Sequence, residues 1–203
     1  MLARQRARDL LGPDPIEVAI SHSLGFAAAL AASSPDEPGA PAEVVDLGSG
    51  GGVPGLVLAT LAWTEARFVL VDASQRRGTY LELAVADLDL GGRVAVEVGR
   101  AEDVGRGPRR ASAEVVVARS FGPPAVLAEC AAPLLVVGGR LVVSEPPGEA
   151  GTRWAPEGIA RVGLSLDRSV QVDGATYTVL RQVEPCPERF PRRPGVPGRK
   201  PLF

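Results

Sequence analysis

Residues 46–55 read Asp-Leu-Gly-Ser-Gly-Gly-Gly-Val-Pro-Gly, a glycine-rich loop between an apolar segment and a helical one. Its five glycines carry no Cβ atom, so a ligand can approach the backbone closely. Pro54 or Gly55 is expected to begin the following helix, whose first N–H groups would point at that ligand. The loop predicts a site for a nucleotide-type cofactor; a tight structural turn is the alternative.

The segments on either side of the loop alternate between short β-like runs and helical stretches, a pattern typical of a parallel sheet built from βαβ units. Strands are predicted near 43–47, 67–71, 93–98, 114–118 and 139–144, and helices over 54–62, 74–88 and 123–134. Residues 164–172 and 175–184 alternate around Asp173-Gly174, a two-residue hairpin signal. The sequence therefore predicts an α/β protein with the Rossmann-like fold of class I methyltransferases: a mostly parallel seven-stranded sheet with an antiparallel C-terminal hairpin.

Three parts are expected along the chain. Residues 1–33 read as a short helical N-terminal extension, which Gly12-Pro13 and Pro15 break into a short first helix and a longer second one. Residues 33–41 have the composition of an exposed linker. Residues 42–185 are predicted to form the cofactor-binding domain, and residues 186–203 a basic, proline-rich tail that belongs to the same domain.

The composition argues against several classes of protein. A chain of 203 residues, 45% of them hydrophobic, is long enough for one domain with a sizeable core, and no apolar run reaches the length of a membrane span. Residues 1–11 lack the apolar stretch of a secretory signal, so a cytoplasmic location is expected. One histidine and two isolated cysteines predict neither a metal site nor a His-based catalytic triad.

The net charge of −2 is unevenly distributed. Residues 189–203 contain five basic and no acidic residues, which leaves 17 basic against 24 acidic residues in the rest of the chain. The prolines of this tail predict an extended, non-helical conformation. We expect Arg192, Arg193 and Lys200 to contact the phosphates of a polyanion; a disordered basic end is the alternative.

The identity of the cofactor depends on two aspartates. The spacing Gly50-x-Gly52-x-x-Gly55, with Asp72 22 residues after Gly50, formally satisfies a dinucleotide-binding fingerprint. However, Asp46 would repel a pyrophosphate, whereas its charge suits the ammonium and sulfonium groups of S-adenosylmethionine. The sequence thus favours the methyl donor, with S-adenosylhomocysteine as the product, over NAD. Asp72 is expected at the ribose hydroxyls, and a helix-capping acid is the alternative.

The donor site is expected to draw on the loop, on the end of the second strand and on a segment after the third strand that would lie over the adenine. Its predicted members are Asp46, Gly48, Ser49, Gly50, Gly52, Pro54, Gly55, Asp72, Ala101 and Glu102.

Arg119 is the candidate catalytic and acceptor-binding residue. It follows an apolar strand, at the end of the sheet where α/β active sites lie. Its guanidinium could stack on a base or pair with a guanine O6/N7 edge or a phosphate; a salt-bridged arginine at a strand end is the alternative. Phe121 is expected to stack on the target base, with a place in the core as the alternative.

Five segments carry a resemblance to a known family: DLGSGGGVPG at 46–55, GRAED at 99–103, VVARSF at 116–121, PLLVVGGRL at 133–141 and RFPRRPGVPGRKPL at 189–202. They are similar to the bacterial small-subunit ribosomal RNA guanine-N7 methyltransferases, also called the glucose-inhibited division protein B family. The resemblance covers about residues 43–203 and implies S-adenosylmethionine-dependent methylation of N7 of a guanine in 16S ribosomal RNA. It places Gly48, Gly50 and Gly52 around the donor, Asp72 at the ribose, Ala101 and Glu102 at the adenine, and Arg119 beside the active site.

Two segments depart from that family. Its members usually carry a His followed shortly by Asp-Ser-Leu, where this chain has Ser21-His22-Ser23-Leu24, and a Lys-Gly after the fifth strand, where this chain has Ser144-Glu145-Pro146-Pro147. A glutamate in place of a cation is expected to oppose RNA binding. Two alternatives therefore stay open: a methyltransferase acting on a small molecule or protein, and a non-catalytic S-adenosylmethionine-binding module. A monomeric protein is expected.

Overall fold

The computed structural model describes residues 15–31, 39–148 and 153–203. Its centre is a seven-stranded sheet with the strand order β3-β2-β1-β4-β5-β7-β6. The strands are β1 (Glu43–Leu47), β2 (Arg67–Asp72), β3 (Val94–Val98), β4 (Ala113–Ala118), β5 (Leu135–Glu145), β6 (Leu164–Val172) and β7 (Ala175–Gln182). The helices are α1 (Ile16–Ala31), α2 (Gly55–Leu61), α3 (Gln75–Asp87), α4 (Ala101–Val104), α5 (Pro124–Ala131), α6 (Pro156–Ala160) and α7 (Val196–Arg199), with a 3₁₀ turn at Ala132–Leu134.

The predicted parallel sheet with an antiparallel end is confirmed. Strands β1 to β5 run parallel to one another, whereas β7 pairs antiparallel with both β5 and β6. Strand β1 lies between β2 and β4, and the chain order of the strands reverses there. The glycine-rich loop leaves the sheet at this switch point, which is where open α/β sheets bind their ligands.

Two predicted elements end or begin more than two residues from their predicted bounds, and in both cases a backbone constraint explains the difference. Strand β5 begins at Leu135, four residues before the predicted start, because a bulge accommodates Gly138 and Gly139: Ala113 of β4 pairs with Leu135, but Val115 already pairs with Arg140. The helix predicted over 123–134 ends at Ala131 and continues as a 3₁₀ turn.

The tail corrects one expectation. Its prolines predicted no helix, but Val196–Arg199 forms a single helical turn. Pro197 lies in the first turn of α7, where a missing N–H costs no helical hydrogen bond. Gly195 precedes that turn with a left-handed φ of 76°, a conformation that glycine adopts without strain.

Helix α1 is the second of the two helices predicted in the N-terminal extension. The predicted first helix and the linker up to residue 38 lie outside the described residues. The C-terminal hairpin anchors α1: the Tyr177 hydroxyl donates to the carbonyl of His22 at 2.6 Å, and the Arg168 guanidinium donates to the carbonyl of Leu30 at 3.0 Å. Across the part of the chain that the structure describes, no helix is long and apolar enough to cross a membrane.

Helices cover both faces of the sheet, and the sheet divides the core into two halves. One half includes Phe26 of α1 together with Phe68 and Tyr177 of the sheet. The other half joins α5 and α6 to the tail, which contributes Phe190 and Leu202. The tail is therefore part of the packed structure and shares one core with the domain.

Buried glutamates hold the tail in place. Glu129, on α5, is fully buried and accepts hydrogen bonds from the Arg192 backbone N–H at 2.8 Å and from its guanidinium Nε at 2.8 Å and Nη2 at 2.6 Å. Glu102, on α4, accepts the Gly195 N–H at 2.8 Å. From the other side, the Arg110 guanidinium donates to the carbonyls of Phe190 and Cys186.

Removal of the Glu129 carboxylate should destabilise the protein. Glu129→Ala leaves the Arg192 amide and guanidinium without their acceptor, so we expect the free energy of unfolding to fall by about 2–4 kcal/mol in urea titrations. Arg67→Ala breaks an exposed ion pair with Glu43 and should cost less than about 1 kcal/mol. A Glu129→Ala loss no larger than that of Arg67→Ala would contradict the anchoring role.

Candidate functional site

The glycine-rich loop adopts a backbone that side chains would strain. Gly48, Gly50 and Gly52 have φ angles of 74°, 55° and 90°, all in the left-handed region. The Gly48 and Ser49 amides donate to the carbonyl of Val71 at 2.8 and 3.0 Å, which ties the loop to the neighbouring strand β2. The predicted glycine loop between β1 and a helix is confirmed, and its amides lie at the start of α2.

Asp46 braces this loop from beneath. Its carboxylate is fully buried, and Oδ2 accepts the Gly55 N–H at 3.0 Å. A Cβ atom at Gly55 would lie 2.5 Å from the same oxygen, so only glycine fits against this carboxylate. The Ser49 hydroxyl donates to the Asp46 carbonyl at 2.9 Å. Asp46 therefore shapes the loop through Oδ2, and its predicted contact with the methionine portion of the donor stays a prediction.

The second carboxylate oxygen of Asp46, Oδ1, bears on which ligand charge the site favours. Within the described residues, Oδ1 is buried and has no hydrogen-bond partner. Burial raises the pKa of Asp46 to about 7, and the hydrogen bond from Gly55 and the positive charge of Arg119 oppose that shift. A buried carboxylate with an unused acceptor fits a cationic ligand better than a pyrophosphate.

Asp72 closes the loop from the side of β2. Its Oδ2 accepts the Gly50 N–H at 3.0 Å, and its Oδ1 accepts the Ser74 N–H at 2.8 Å at the start of α3. The Arg77 guanidinium lies 3.5 Å from Oδ2. The structure thus contains the helix-start contact that the sequence offered as the alternative. It also places Asp72 beside the loop, and its contact with the ribose hydroxyls stays a prediction.

Ala101 and Glu102 begin α4 next to the end of β3, and both are buried. The Glu102 carboxylate, predicted at the adenine, uses Oε1 to hold the Gly195 amide of the tail. This contact links the predicted adenine segment to the basic tail. Sequence reasoning missed it, because the two residues are 93 positions apart.

A cavity of about 470 Å³ opens beside the loop. Its walls come from Val18, Ala19 and His22 of α1, from Arg119 to Gly122 after β4, and from Ser144, Glu145, Arg153 and Trp154 near the end of β5. The contribution of α1 was not foreseen. The one sequence signal for it was the unusual Ser21–Leu24 segment, which contains His22.

Arg119 lies in this cavity, as the sequence predicted for the end of β4. It is partly exposed, and no hydrogen bond or ion pair of its guanidinium occurs within residues 15–31, 39–148 and 153–203. Within the described residues, Arg119 therefore does not form the salt bridge that the sequence left as the alternative. The next residue, Ser120, has a φ of 54°, an uncommon conformation for a residue with a side chain, and such conformations cluster at functional sites.

Phe121 lies at the junction of the loop and the cavity. It lines the cavity, and a Cβ atom at Gly48 would lie 3.0 Å from its Cδ2. The ring therefore covers the first glycine of the loop and also packs against the core. The core role that the sequence left as the alternative is thus present, and stacking on the target base stays a prediction.

Glu145, which the sequence predicted to oppose RNA binding, does not present its charge to solvent. Its side chain is fully buried and accepts hydrogen bonds from the Trp154 indole at 2.5 Å and from the Arg153 guanidinium at 3.2 Å. The carboxylate is thus neutralised by a cation that the sequence analysis did not single out. The expected repulsion of RNA at this position has no structural basis.

The predicted phosphate contacts in the tail separate into two groups. Arg192 donates through Nε and Nη2 to Glu129 and also to the carbonyl of Lys200, and its hydrogen bonds to Glu129 raise its pKa. Most of its donors therefore hold the tail in place. Arg193 and Lys200 are exposed and remain candidates for contacts with a polyanion.

The chain is similar to one family of known proteins. A family profile described as rRNA small subunit methyltransferase G matches residues 6–145. Relatives named Ribosomal RNA small subunit methyltransferase G include a Deinococcus radiodurans protein, 39% identical over 170 residues, which cover 79% of this chain and 66% of the relative. A Symbiobacterium thermophilum protein of the same name is 35% identical over 201 residues, 93% of this chain and 80% of the relative.

Solved structures share the fold. An RNA methyltransferase from Salinibacter ruber in complex with S-adenosyl-L-homocysteine superposes with a TM-score of 0.56 at 21% identity, over 87% of this chain and 97% of that one. A SAM dependent methyltransferase from Aquifex aeolicus gives a TM-score of 0.57 at 15% identity, over 84% and 94% of the two chains. At these sequence identities, the superpositions show a shared fold.

The raised pKa of Asp46 predicts a pH-dependent stability. Between the ordinary value of 3.8 and about 7, the folded protein keeps a proton that the unfolded chain loses, so the contribution of Asp46 to the free energy of unfolding falls as the pH rises through that interval. Asp46→Asn cannot ionise. We expect its free energy of unfolding to rise relative to the wild type by on the order of 4 kcal/mol between pH 4 and pH 8.

Urea unfolding of both proteins across this pH range checks the prediction. Glu82→Gln, which replaces an exposed acid of α3, serves as the control and should follow the wild type. Parallel curves for Asp46→Asn and the wild type would show that burial does not hold the proton on Asp46.

Proposed function

The chain belongs to the rRNA small subunit methyltransferase G family, and from this premise we propose that it transfers the methyl group of S-adenosylmethionine to N7 of a guanine in 16S ribosomal RNA. The proposal takes the loop as the donor site and the adjoining cavity as the acceptor site. In it, the protein works as a monomer.

The partly exposed guanidinium of Arg119 is the observation that carries the assignment of the acceptor. It lies in a cavity beside the loop, without a hydrogen bond or ion pair to the described residues, and it is therefore available to an incoming ligand. A guanine presents O6 next to N7, and a guanidinium that donates to O6 alone orients the base while leaving the N7 lone pair free to react. Phe121 can stack on the face of the same base.

The donor fits the residues around the loop. The unpartnered Oδ1 of Asp46 suits a ligand with an ammonium group, and Asp72 keeps unused lone pairs for ribose hydroxyls beside the Gly50 amide. Ala101 and Glu102 are assigned to the adenine. When bound, S-adenosylmethionine supplies a methyl carbon that its sulfonium already activates.

The proposed reaction requires little acid–base catalysis by the protein. Guanine N7 has a lone pair and no proton to lose, so no general base is required. Alignment of the base by Arg119 and Phe121 can supply much of the rate enhancement, since positioning is worth up to roughly 7–11 kcal/mol. A chain with one histidine suffices for this, whereas methylation of cytosine C5 would need a cysteine nucleophile.

The two alternative functions have less support. A small-molecule or protein acceptor was favoured by the acidic body of the chain and by the charge of Glu145, and of these two the Glu145 charge is engaged by Arg153 and Trp154. A non-catalytic binding module would not need an available cation in a cavity next to the donor loop.

The function is tested by methyl transfer with the purified protein. We expect tritiated S-adenosylmethionine to label 16S RNA or small ribosomal subunits, and mass spectrometry of the nucleosides to find 7-methylguanosine. Normal binding of S-adenosylhomocysteine without any label in RNA would remove the RNA assignment. Label in a low-molecular-weight extract would then support the first alternative.

Two substitutions should separate the donor site from the acceptor site. Asp46→Ala removes the acceptor of the Gly55 amide, so the loop loses its brace and binding of S-adenosylhomocysteine should be abolished in calorimetry. Arg119→Ala should lower RNA methylation by about 100-fold while leaving donor affinity within a few-fold, because it disturbs the orientation of the base.

Arg181→Ala removes an exposed arginine of β7 and should behave as the wild type in both assays. Circular dichroism shows whether each variant is folded. A normal methylation rate for a folded Arg119→Ala protein would contradict the role of Arg119.

A further inference from the structure

A second cavity of about 310 Å³ adjoins the one that contains Arg119. It is lined by Pro123 to Val126 at the start of α5, by Arg153, and by Gly198, Pro201 and Phe203 of the tail; we call it the flank groove. Pro124 and Arg153 line both cavities, so the flank groove continues directly from the acceptor cavity. A ligand that extends beyond the acceptor cavity past Arg153 enters this groove.

The aromatic ring of Phe203 is held in place on this groove. A Cβ atom at Gly158 would lie 2.1 Å from its Cδ1, which means that the ring packs directly against the glycine of α6. The preceding residue, Leu202, is buried in the core, and its carbonyl accepts the Arg161 guanidinium at 2.9 Å. Nevertheless, 36% of Phe203 is exposed. The groove thus offers an accessible ring whose position the fold determines.

One cation lines the groove, and two more are close to its lining residues in the sequence. Arg153, which also pairs with Glu145, lies where the two cavities meet. Arg199 and Lys200 are exposed on the tail, between the groove residues Gly198 and Pro201 in the sequence. One acid, Glu157, precedes Gly158 in the sequence and is exposed. An apolar groove with an accessible aromatic ring and several flanking cations has the chemistry by which proteins bind single-stranded nucleic acid, because bases stack on the ring and phosphates pair with the cations.

We propose that the flank groove binds the base of a nucleotide next to the target guanine, stacked on Phe203, while the phosphate between the two nucleotides lies near Arg153. This inference rests on the proposed function, because it takes the adjoining cavity as the guanine site. It implies that the substrate is read as an unpaired strand, since a base held in a duplex cannot leave its neighbours to enter the groove. Phe203 is then a substrate-binding residue outside the donor and acceptor sites.

The test pairs a protein change with a substrate change. Phe203→Ala is assayed on 16S RNA and on the same RNA, assembled by ligation, with an abasic nucleotide at the 5′ or the 3′ neighbour of the methylated guanine. We expect Phe203→Ala to raise KM for unmodified RNA by about 5- to 150-fold, the range for one base stacked on an aromatic ring, with kcat little changed. The wild type should lose as much on one of the two abasic RNAs, and the two losses should not add.

Three further variants separate stacking from stability. Phe203→Trp keeps an aromatic ring and should retain most of the affinity for RNA. Phe203→Leu keeps apolar packing on Gly158 but has no ring, and it should lose that affinity. Leu83→Ala removes an exposed apolar side chain of α3 and should leave KM unchanged. Donor binding should be the same in all of them.

The two levels of the hypothesis fail differently. If the wild type methylates RNA but Phe203→Ala and Phe203→Leu do so with unchanged KM, or if their losses add fully to those of the abasic substrates, the flank groove is not a nucleotide site. If the wild type binds donor and methylates no RNA, the proposed function fails and the groove assignment fails with it.

Discussion

The hydrogen bond from the Gly55 amide to the Asp46 carboxylate ties the end of β1 to the start of α2, and the loop is formed by the residues between these two points. A side chain at Gly55 would collide with that carboxylate, and three of the glycines in between have left-handed φ angles. The arrangement buries an acid in the core, and this burial raises the pKa of Asp46. The donor contacts proposed for the loop depend on the geometry that this buried acid maintains.

The same device recurs where the chain must hold an irregular segment. Asp72 holds Gly50, Glu102 holds Gly195, and Glu129 holds the Arg192 amide. In each pair a buried carboxylate accepts a backbone N–H that a loop or tail would otherwise leave unsatisfied, and such a group is costly when buried. Acidic side chains that sequence reasoning assigned to ligands thus act first on the protein itself. A carboxylate oxygen has lone pairs for more than one donor, so the two roles are compatible.

The sheet was predictable because its strands are short, apolar and regularly spaced, and the glycine loop marked the point where the strand order reverses. The ends of β1 and β4 therefore placed Asp46 and Arg119 correctly at the edge of the sheet that carries the site. The partners of the acids were not predictable, since Glu129 and Arg192 are 63 residues apart and no local pattern joins them. The wall that α1 adds to the acceptor cavity and the pairing of Glu145 with Trp154 depend on tertiary packing, which a periodicity does not encode. The turn of α7 was missed because the position of a proline within a helix decides whether it is tolerated.

The attachment of α1 has a consequence for the order in which the molecule is completed. The hydroxyl that holds the His22 carbonyl belongs to Tyr177, 155 residues further along the chain, and the other anchor, Arg168, is also in the last hairpin. During synthesis α1 emerges long before this hairpin, so the part of its docking surface that β6 and β7 supply is made much later than the helix itself. Until the hairpin has formed, α1 lacks these two anchors, so the wall that it adds to the cavity around Arg119 is not yet held in place.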